Sequence, residues 1–169
     1  NSEIRKKIRK NKKKNKIINI NKQNSLIKKL DFSLTNDQKK ALEDINRDLS
    51  SSNKMFRLLQ GDVGSGKTIV SLLAALNTIN SGFQVALMAP TEILARQHFN
   101  LAKKIFPKNI NLDLISGKSE YRIKKEILKN LEDNKINIIF GTHAIFQKKV
   151  IFKKLGLIII DEQHKFGVN

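Results

Sequence analysis

Cysteine is absent from all 169 residues, which excludes disulfides and thiolate metal sites and leaves the redox compartment open. Histidine is almost as scarce. His98, His143 and His164 stand far apart, and none has a partner at metal-ligand spacing. The longest apolar run, Leu155 to Ile160, falls far short of the ~20 residues that a membrane-spanning helix needs. No apolar stretch follows the basic start, so a signal peptide is not indicated. A cytoplasmic protein without membrane contact is the expectation. Acidic residues are few, 15 against 33 Lys and Arg, for a formal charge of +18. The apolar fraction of 40% is enough for one core, which excludes a disordered chain and suits a single domain.

The positive charge is uneven. Residues 1–30 hold twelve Lys and Arg against one acid, Glu3, a net of +11, which leaves +7 for the remainder. Runs such as Arg5-Lys6-Lys7 and Lys12-Lys13-Lys14 attract phosphate backbones through counterion release. Asn, Ile and Lys are also in excess throughout, so a solvated linker is the other reading of this stretch. The chain opens on Asn1 rather than methionine, as a cut N-terminus would. Residues 1–30 are thus expected to be a basic linker or the end of a preceding domain, and residues 31–169 the globular part.

From Asp31 onward the texture is regular. Thr35 is placed to cap a helix running to about Leu49, with Ala41, Leu42, Ile45 and Leu49 on one face. Apolar runs at Met55–Leu59, Val85–Ala89, Leu112–Ile115, Ile136–Phe140 and Leu157–Ile160 read as strands. They alternate with helices over about 67–79, 92–106 and 119–131. Continuous rather than alternating apolar runs indicate strands covered on both faces, hence a mainly parallel sheet in a three-layer α/β domain.

Two motifs carry chemistry. Gly61-Asp62-Val63-Gly64-Ser65-Gly66-Lys67-Thr68 fits the phosphate-loop pattern G-x-x-x-x-G-K-[ST] in full. Gly61, Gly64, Ser65 and Gly66 let successive N–H groups converge on phosphate oxygens at a helix start. Lys67 supplies a mobile charge for the β- and γ-phosphates, and Thr68 a hydroxyl for Mg²⁺. About a hundred residues later, Asp161-Glu162 closes the apolar run Leu157–Ile160. Asp161 suits a direct or water-mediated magnesium ligand, and Glu162 a general base toward the attacking water. ATP and Mg²⁺ are therefore expected, with Lys67, Asp161 and Glu162 catalytic.

Asp161-Glu162-Gln163-His164 resembles the DEXH box of superfamily-two helicases, and its continuation through Phe166-Gly167-Val168 resembles the RecG form. Ala89 through His98 is similar to motif Ia of that family, and Gly141-Thr142-His143-Ala144 to its second DNA-contacting turn. Phe32, Leu34, Thr35 and Gln38 resemble the adenine-reading Q motif. Lys165 departs from the usual arginine, keeping the charge but losing the bidentate fork. The resemblance implies a RecA-like ATPase domain of a DNA helicase acting in recombination and repair. Phe32 would pack on the adenine and Gln38 would read its edge. Thr91, Arg96 and Thr142 would touch the DNA backbone without reading sequence. Gln163 and His164 would couple loss of the γ-phosphate to the DNA side. The partners implied are branched or duplex DNA, and a second RecA-like lobe and a wedge domain of the same parent chain.

Because the chain stops soon after Asp161, it is expected to be C-terminally truncated. It would then lack the later motor motifs and the strand between the phosphate-loop strand and the DEXH strand. Three other readings stay open at this stage. The motor of a transcription-repair coupling factor is one, and an ATP- and DNA-binding module without turnover is another. A small P-loop kinase or GTPase is the third, although the sequence carries neither a substrate lid nor an Asn-Lys-x-Asp motif.

Overall fold

The computed structural model describes residues 16–61, 66–146 and 149–161. Within it the chain forms two compact units, meeting in sequence between Ser81 and Gly82; Gly82 turns the chain with a φ of 87°, a conformation that suits a residue without Cβ.

The first unit is helical: α1 (Ile20–Ile27), α2 (Asn36–Ser50) and α3 (Lys67–Asn80). Helix α2 begins with a reciprocal cap. Thr35 Oγ1 accepts from the Gln38 N–H at 3.2 Å, and the Thr35 N–H donates to Gln38 Oε1 at 2.9 Å. Leu42, Ile45 and Leu49 turn inward from α2 as their spacing predicts, and Asn46 is buried with them. Asn46 meets Gln23 of α1 and Asn77 of α3 in a buried amide cluster. Gln23 Oε1 accepts from Asn46 Nδ2 at 2.8 Å and from Asn77 Nδ2 at 2.7 Å, while Asn77 Nδ2 also donates to Asn46 Oδ1 at 2.8 Å. Each helix thus supplies one amide to the others.

Order therefore begins earlier than the change of texture at Asp31. Asn19 caps α1, Leu26 is buried, the Lys16 N–H bonds the Leu49 carbonyl at 3.2 Å, and Ser81 Oγ donates to the Ile17 carbonyl at 2.8 Å. A second difference concerns Met55–Leu59, which forms no strand. Phe56 and Leu58 are 55% and 79% exposed. An apolar run becomes a strand only when a neighbour completes its hydrogen-bond ladder, and among the described residues none pairs with this one.

The second unit is a parallel α/β sheet with strand order β2-β3-β1-β4: β1 (Gln84–Ala89), β2 (Leu112–Leu114), β3 (Ile138–Thr142) and β4 (Leu155–Ile160). Helix α4 (Glu92–Ile105) links β1 to β2, α5 (Tyr121–Glu132) links β2 to β3, and the short α6 (His143–Phe146) follows β3. The continuous apolar runs of β1 and β3 are buried throughout their centres, because helices cover both faces. Ala86 and Ile139 face one way and pack with Ile127 and Leu131 of α5. Their neighbours face the other, where Phe140 meets Phe99 of α4 edge-on with ring centroids 5.7 Å apart. Strand β4 is an edge, with Ile158 and Ile160 about half exposed.

One buried polar residue ties the bottom of this sheet together. Gln84 Nε2 donates to the carbonyls of Leu131 and Ile136, both at 2.9 Å, and its Oε1 accepts from the Lys154 N–H at 3.0 Å. The end of α5, the entry to β3 and the entry to β4 thus share one carboxamide. Gln84→Leu is expected to strand three backbone groups and to destabilise the protein by about 3 kcal/mol or more, since each unmet buried group costs ~1–3 kcal/mol. Denaturant unfolding would read this as a lower midpoint at unchanged slope. A loss below about 0.5 kcal/mol would mean that water replaces the carboxamide.

Candidate functional site

In the helical unit the site is built around the start of α3. Gly66 precedes the helix in a left-handed conformation (φ 75°, ψ 21°), and no side chain caps it. The start of α3 carries the partial positive charge of the helix dipole, which suits an anionic ligand. Gly66 is favoured here twice over. Its φ is one that L side chains rarely adopt, and a Cβ would collide with the carboxamide of Gln38 unless that side chain shifted. Lys67 Nζ donates to the Gly61 carbonyl across the loop, and Thr68 is half-buried on the first turn.

Thus three of the expected nucleotide residues, Gln38, Gly61 and Lys67, converge on one turn of chain. The Gln38 Oε1 is committed to the Thr35 cap, which fixes its rotamer and points Nε2 at Gly66. Phe32 is 49% exposed on the same unit, so its ring face is open to a flat apolar partner. The donors present fit a nucleoside triphosphate: N–H groups and an ammonium for phosphate, a carboxamide and a ring for a base. Asp62, Val63, Gly64 and Ser65 lie outside the described residues.

In the α/β unit the expected residues gather at the C-terminal edge of the sheet, where parallel strands present ligand sites. Asp161 follows β4, and its N–H bonds the Met88 carbonyl of β1 at 2.8 Å. Thr142, the last residue of β3, is in register with Ala89, the last of β1. Thr91 begins α4 at the same edge, its Oγ1 accepting from the Leu94 N–H at 3.2 Å. Arg96 lies exposed on α4, above a groove lined also by Gln97, Asn100, Ser116 and Lys118. The floor of the groove is pinned by Glu92, whose Oε1 accepts from the Gly117 N–H at 2.6 Å. That bond, with help from Ser116 and then from the charges of Lys118 and Arg96, holds the Glu92 carboxyl below the usual carboxylate range. Thr91, Arg96 and Thr142 offer hydroxyls and a cation, donors suited to a phosphodiester backbone.

Asp161 has a partner that the motif reading did not assign. His98 Nε2–H donates to Asp161 Oδ2 at 2.7 Å, with the imidazole only 12% exposed. The carboxylate accepts, so Nε2 carries the proton. From sequence, His98 is a structural or surface residue. The available signal was periodicity: Ala95, His98, Phe99 and Ala102 fall on one helical stripe, and a polar residue on an inward stripe needs a buried partner. Asp161 Oδ1 is a hard oxygen donor of the kind magnesium prefers, and so, in the helical unit, is the Thr68 hydroxyl. Glu162, Gln163, His164 and Lys165 lie outside the described residues. No helix among the described residues is long and apolar enough to cross a membrane.

The ATP-dependent DNA helicase RecG of Borreliella burgdorferi is 50% identical over 144 residues, which is 85% of this chain and 21% of that protein. RecG of Aquifex aeolicus is 49% identical over 143 residues, 84% of this chain and 18% of that one. The chain thus spans about a fifth of the length of these curated relatives. Among solved structures, RecG bound to a three-way DNA junction matches with a TM-score of 0.90 and 45% identity, over 97% of this chain and 23% of that one. The UvsW helicase of bacteriophage T4 shares the fold, with a TM-score of 0.61 at 17% identity, over 90% of this chain and 54% of that one. The family model for DEAD/DEAH box helicases matches residues 35–169, from the threonine that caps α2 through the carboxylates after β4, and the chain belongs to that family.

Proposed function

We propose that this chain is the first RecA-like motor domain of an ATP-dependent DNA helicase of the RecG type, which hydrolyses ATP to remodel branched DNA during recombination and repair in the cytoplasm. The observation that carries this reading is the left-handed Gly66 at the start of α3, set in a full phosphate-loop sequence. Similarity to RecG proteins over most of the chain supports DNA as the track. The second lobe and the wedge domain are its intended partners in the same protein.

Each residue then has a task. The N–H groups at the start of α3 and Lys67 hold the phosphates, Lys67 exchanging the Gly61 carbonyl for a phosphate oxygen. Phe32 and Gln38 hold the adenine. Thr68 and Asp161 hold magnesium, which when bound screens charge that develops on the phosphoryl oxygens. Glu162 takes the proton from the water that attacks the γ-phosphorus as the bond to the departing ADP oxygen breaks. Gln163 and His164 respond to the loss of that phosphate. Thr91, Arg96 and Thr142 grip the DNA backbone, which gives affinity without sequence preference. Steady-state ATP hydrolysis by the full-length protein, with and without a three-way junction, tests the reading. Turnover should rise several-fold with the junction, and a protein that neither binds nor hydrolyses ATP would end it.

The basic start of the chain has a separate test. Residues 1–15 hold eight Lys and Arg against Glu3, and their removal leaves the packed segment from Lys16 onward intact. For each DNA phosphate that these side chains neutralise, the shortened protein should show a slope of log K against log salt flatter by about 0.9. An unaltered slope would leave residues 1–15 as a solvated linker.

A further inference from the structure

We propose that His98 is a positioning residue that ties DNA engagement at α4 to the magnesium carboxylate Asp161. The inference rests on the helicase reading above and adds a residue to it.

Three observations within the α/β unit lead to it. First, the His98 Nε2–Asp161 Oδ2 bond of 2.7 Å is well inside normal hydrogen-bond length, and the imidazole is largely withdrawn from water. A bond in such surroundings keeps more of its strength than one at the surface. Second, Asp161 sits just beyond the end of an edge strand. Its N–H is fixed by Met88, so its backbone is held, and His98 then holds its side chain. With Oδ2 accepting from His98, Oδ1 is the oxygen turned to other partners. Third, His98 belongs to the helix whose first turn begins at Thr91 and whose outer face carries Arg96. Residues two apart on a helix point to opposite sides, so α4 faces the DNA side with Arg96 and the carboxylate with His98.

A helix of 14 residues moves nearly as a rigid body, since shifting one turn alone would break its backbone bonds. A phosphate backbone that draws on Thr91 and Arg96 would therefore shift His98, and with it the Asp161 carboxylate. Small displacements suffice, because a catalytic group misplaced by about 1 Å can lose ~10²-fold in rate. The residue touches neither nucleotide nor DNA in this scheme. It acts by setting where Asp161 points, as carboxylate partners of metal sites generally do.

His98→Ala and His98→Gln in the full-length protein decide the matter. The Gln side chain offers an Nε2–H donor at similar reach, so it should rescue what Ala loses. The first readout is the ratio of junction-stimulated to unstimulated ATP turnover at saturating Mg-ATP. It should fall close to one in the Ala variant, which loses most of the several-fold stimulation, and the Gln variant should keep at least about half of it. The second is binding rather than activity: the factor by which junction DNA alters affinity for a non-hydrolysable Mg-ATP analogue. That factor should approach one in the Ala variant, because coupling between sites is reciprocal and passes through the lost bond. Undiminished stimulation and coupling in His98→Ala would overturn the proposal. So would equal losses in both variants accompanied by a lower unfolding temperature, which would make His98 a packing residue only. Absence of DNA stimulation in the unsubstituted protein is a different failure, for it removes the helicase reading itself.

Discussion

Replacing Glu162 with Gln is expected to slow ATP hydrolysis by about 10²–10⁴-fold, the range that a positioned general base contributes. Affinity for Mg-ATP should stay within about threefold, because the amide keeps the size and one acceptor oxygen of the carboxylate. It loses only the ability to take a proton. The neighbouring Asp161→Asn should behave differently. Its amide oxygen can still accept from His98, so the side chain stays oriented while its charge is gone. The result should be weaker Mg²⁺ dependence of nucleotide binding rather than a pure loss of turnover. Filter binding and single-turnover hydrolysis on the two variants separate these effects. Normal single-turnover rates in both would show that the carboxylate pair after β4 does no chemistry.

Lys67→Ala should be nearly as severe. A charge-assisted contact to phosphate is worth about 1.5–3 kcal/mol in the ground state, so affinity for a fluorescent ATP analogue should drop at least tenfold. Charge builds on the phosphoryl oxygens as the reaction proceeds, and turnover should fall by a further ~10²–10³-fold. The variant also loses the bond from Lys67 Nζ to the Gly61 carbonyl. Circular dichroism and unfolding controls should therefore accompany the binding assay. Unchanged analogue affinity in a folded variant would remove the phosphate-loop assignment.

Local patterns and distant pairings were legible to different degrees. The helices α2, α3 and α4 lie within a residue or two of where their caps and apolar spacing put them, because cap, stripe and stop are encoded by adjacent residues. Strands β1 and β3 were equally plain, since covering on both faces demands an unbroken apolar run. Met55–Leu59 shows the limit of that rule: the run is apolar, yet strand status depends on a partner that the run itself cannot specify. The Gln23–Asn46–Asn77 cluster was invisible for a related reason. Each amide is ordinary in its own segment, and only the packing of three helices makes them mutual partners. His98 falls in the same class, with its partner 63 residues away. The start of α1 was hidden by composition, because the Lys- and Asn-rich texture of residues 1–30 masks a weak stripe at Gln23 and Leu26.

The central place of β1 bears on how the protein forms during synthesis. Its two neighbours, β3 and β4, follow it by roughly fifty and seventy residues, and a ribosome adds only about 5–20 residues each second. For several seconds the central strand of the sheet has left the exit tunnel with no ladder to join. Helix α4, the next element made, carries Ala95, Phe99 and Ala102 on the stripe that later covers this sheet, so it is the first available shelter. Variants that weaken that stripe should consequently betray themselves in nascent chains, as chaperone retention or inclusion bodies, before any defect shows in the purified, finished protein.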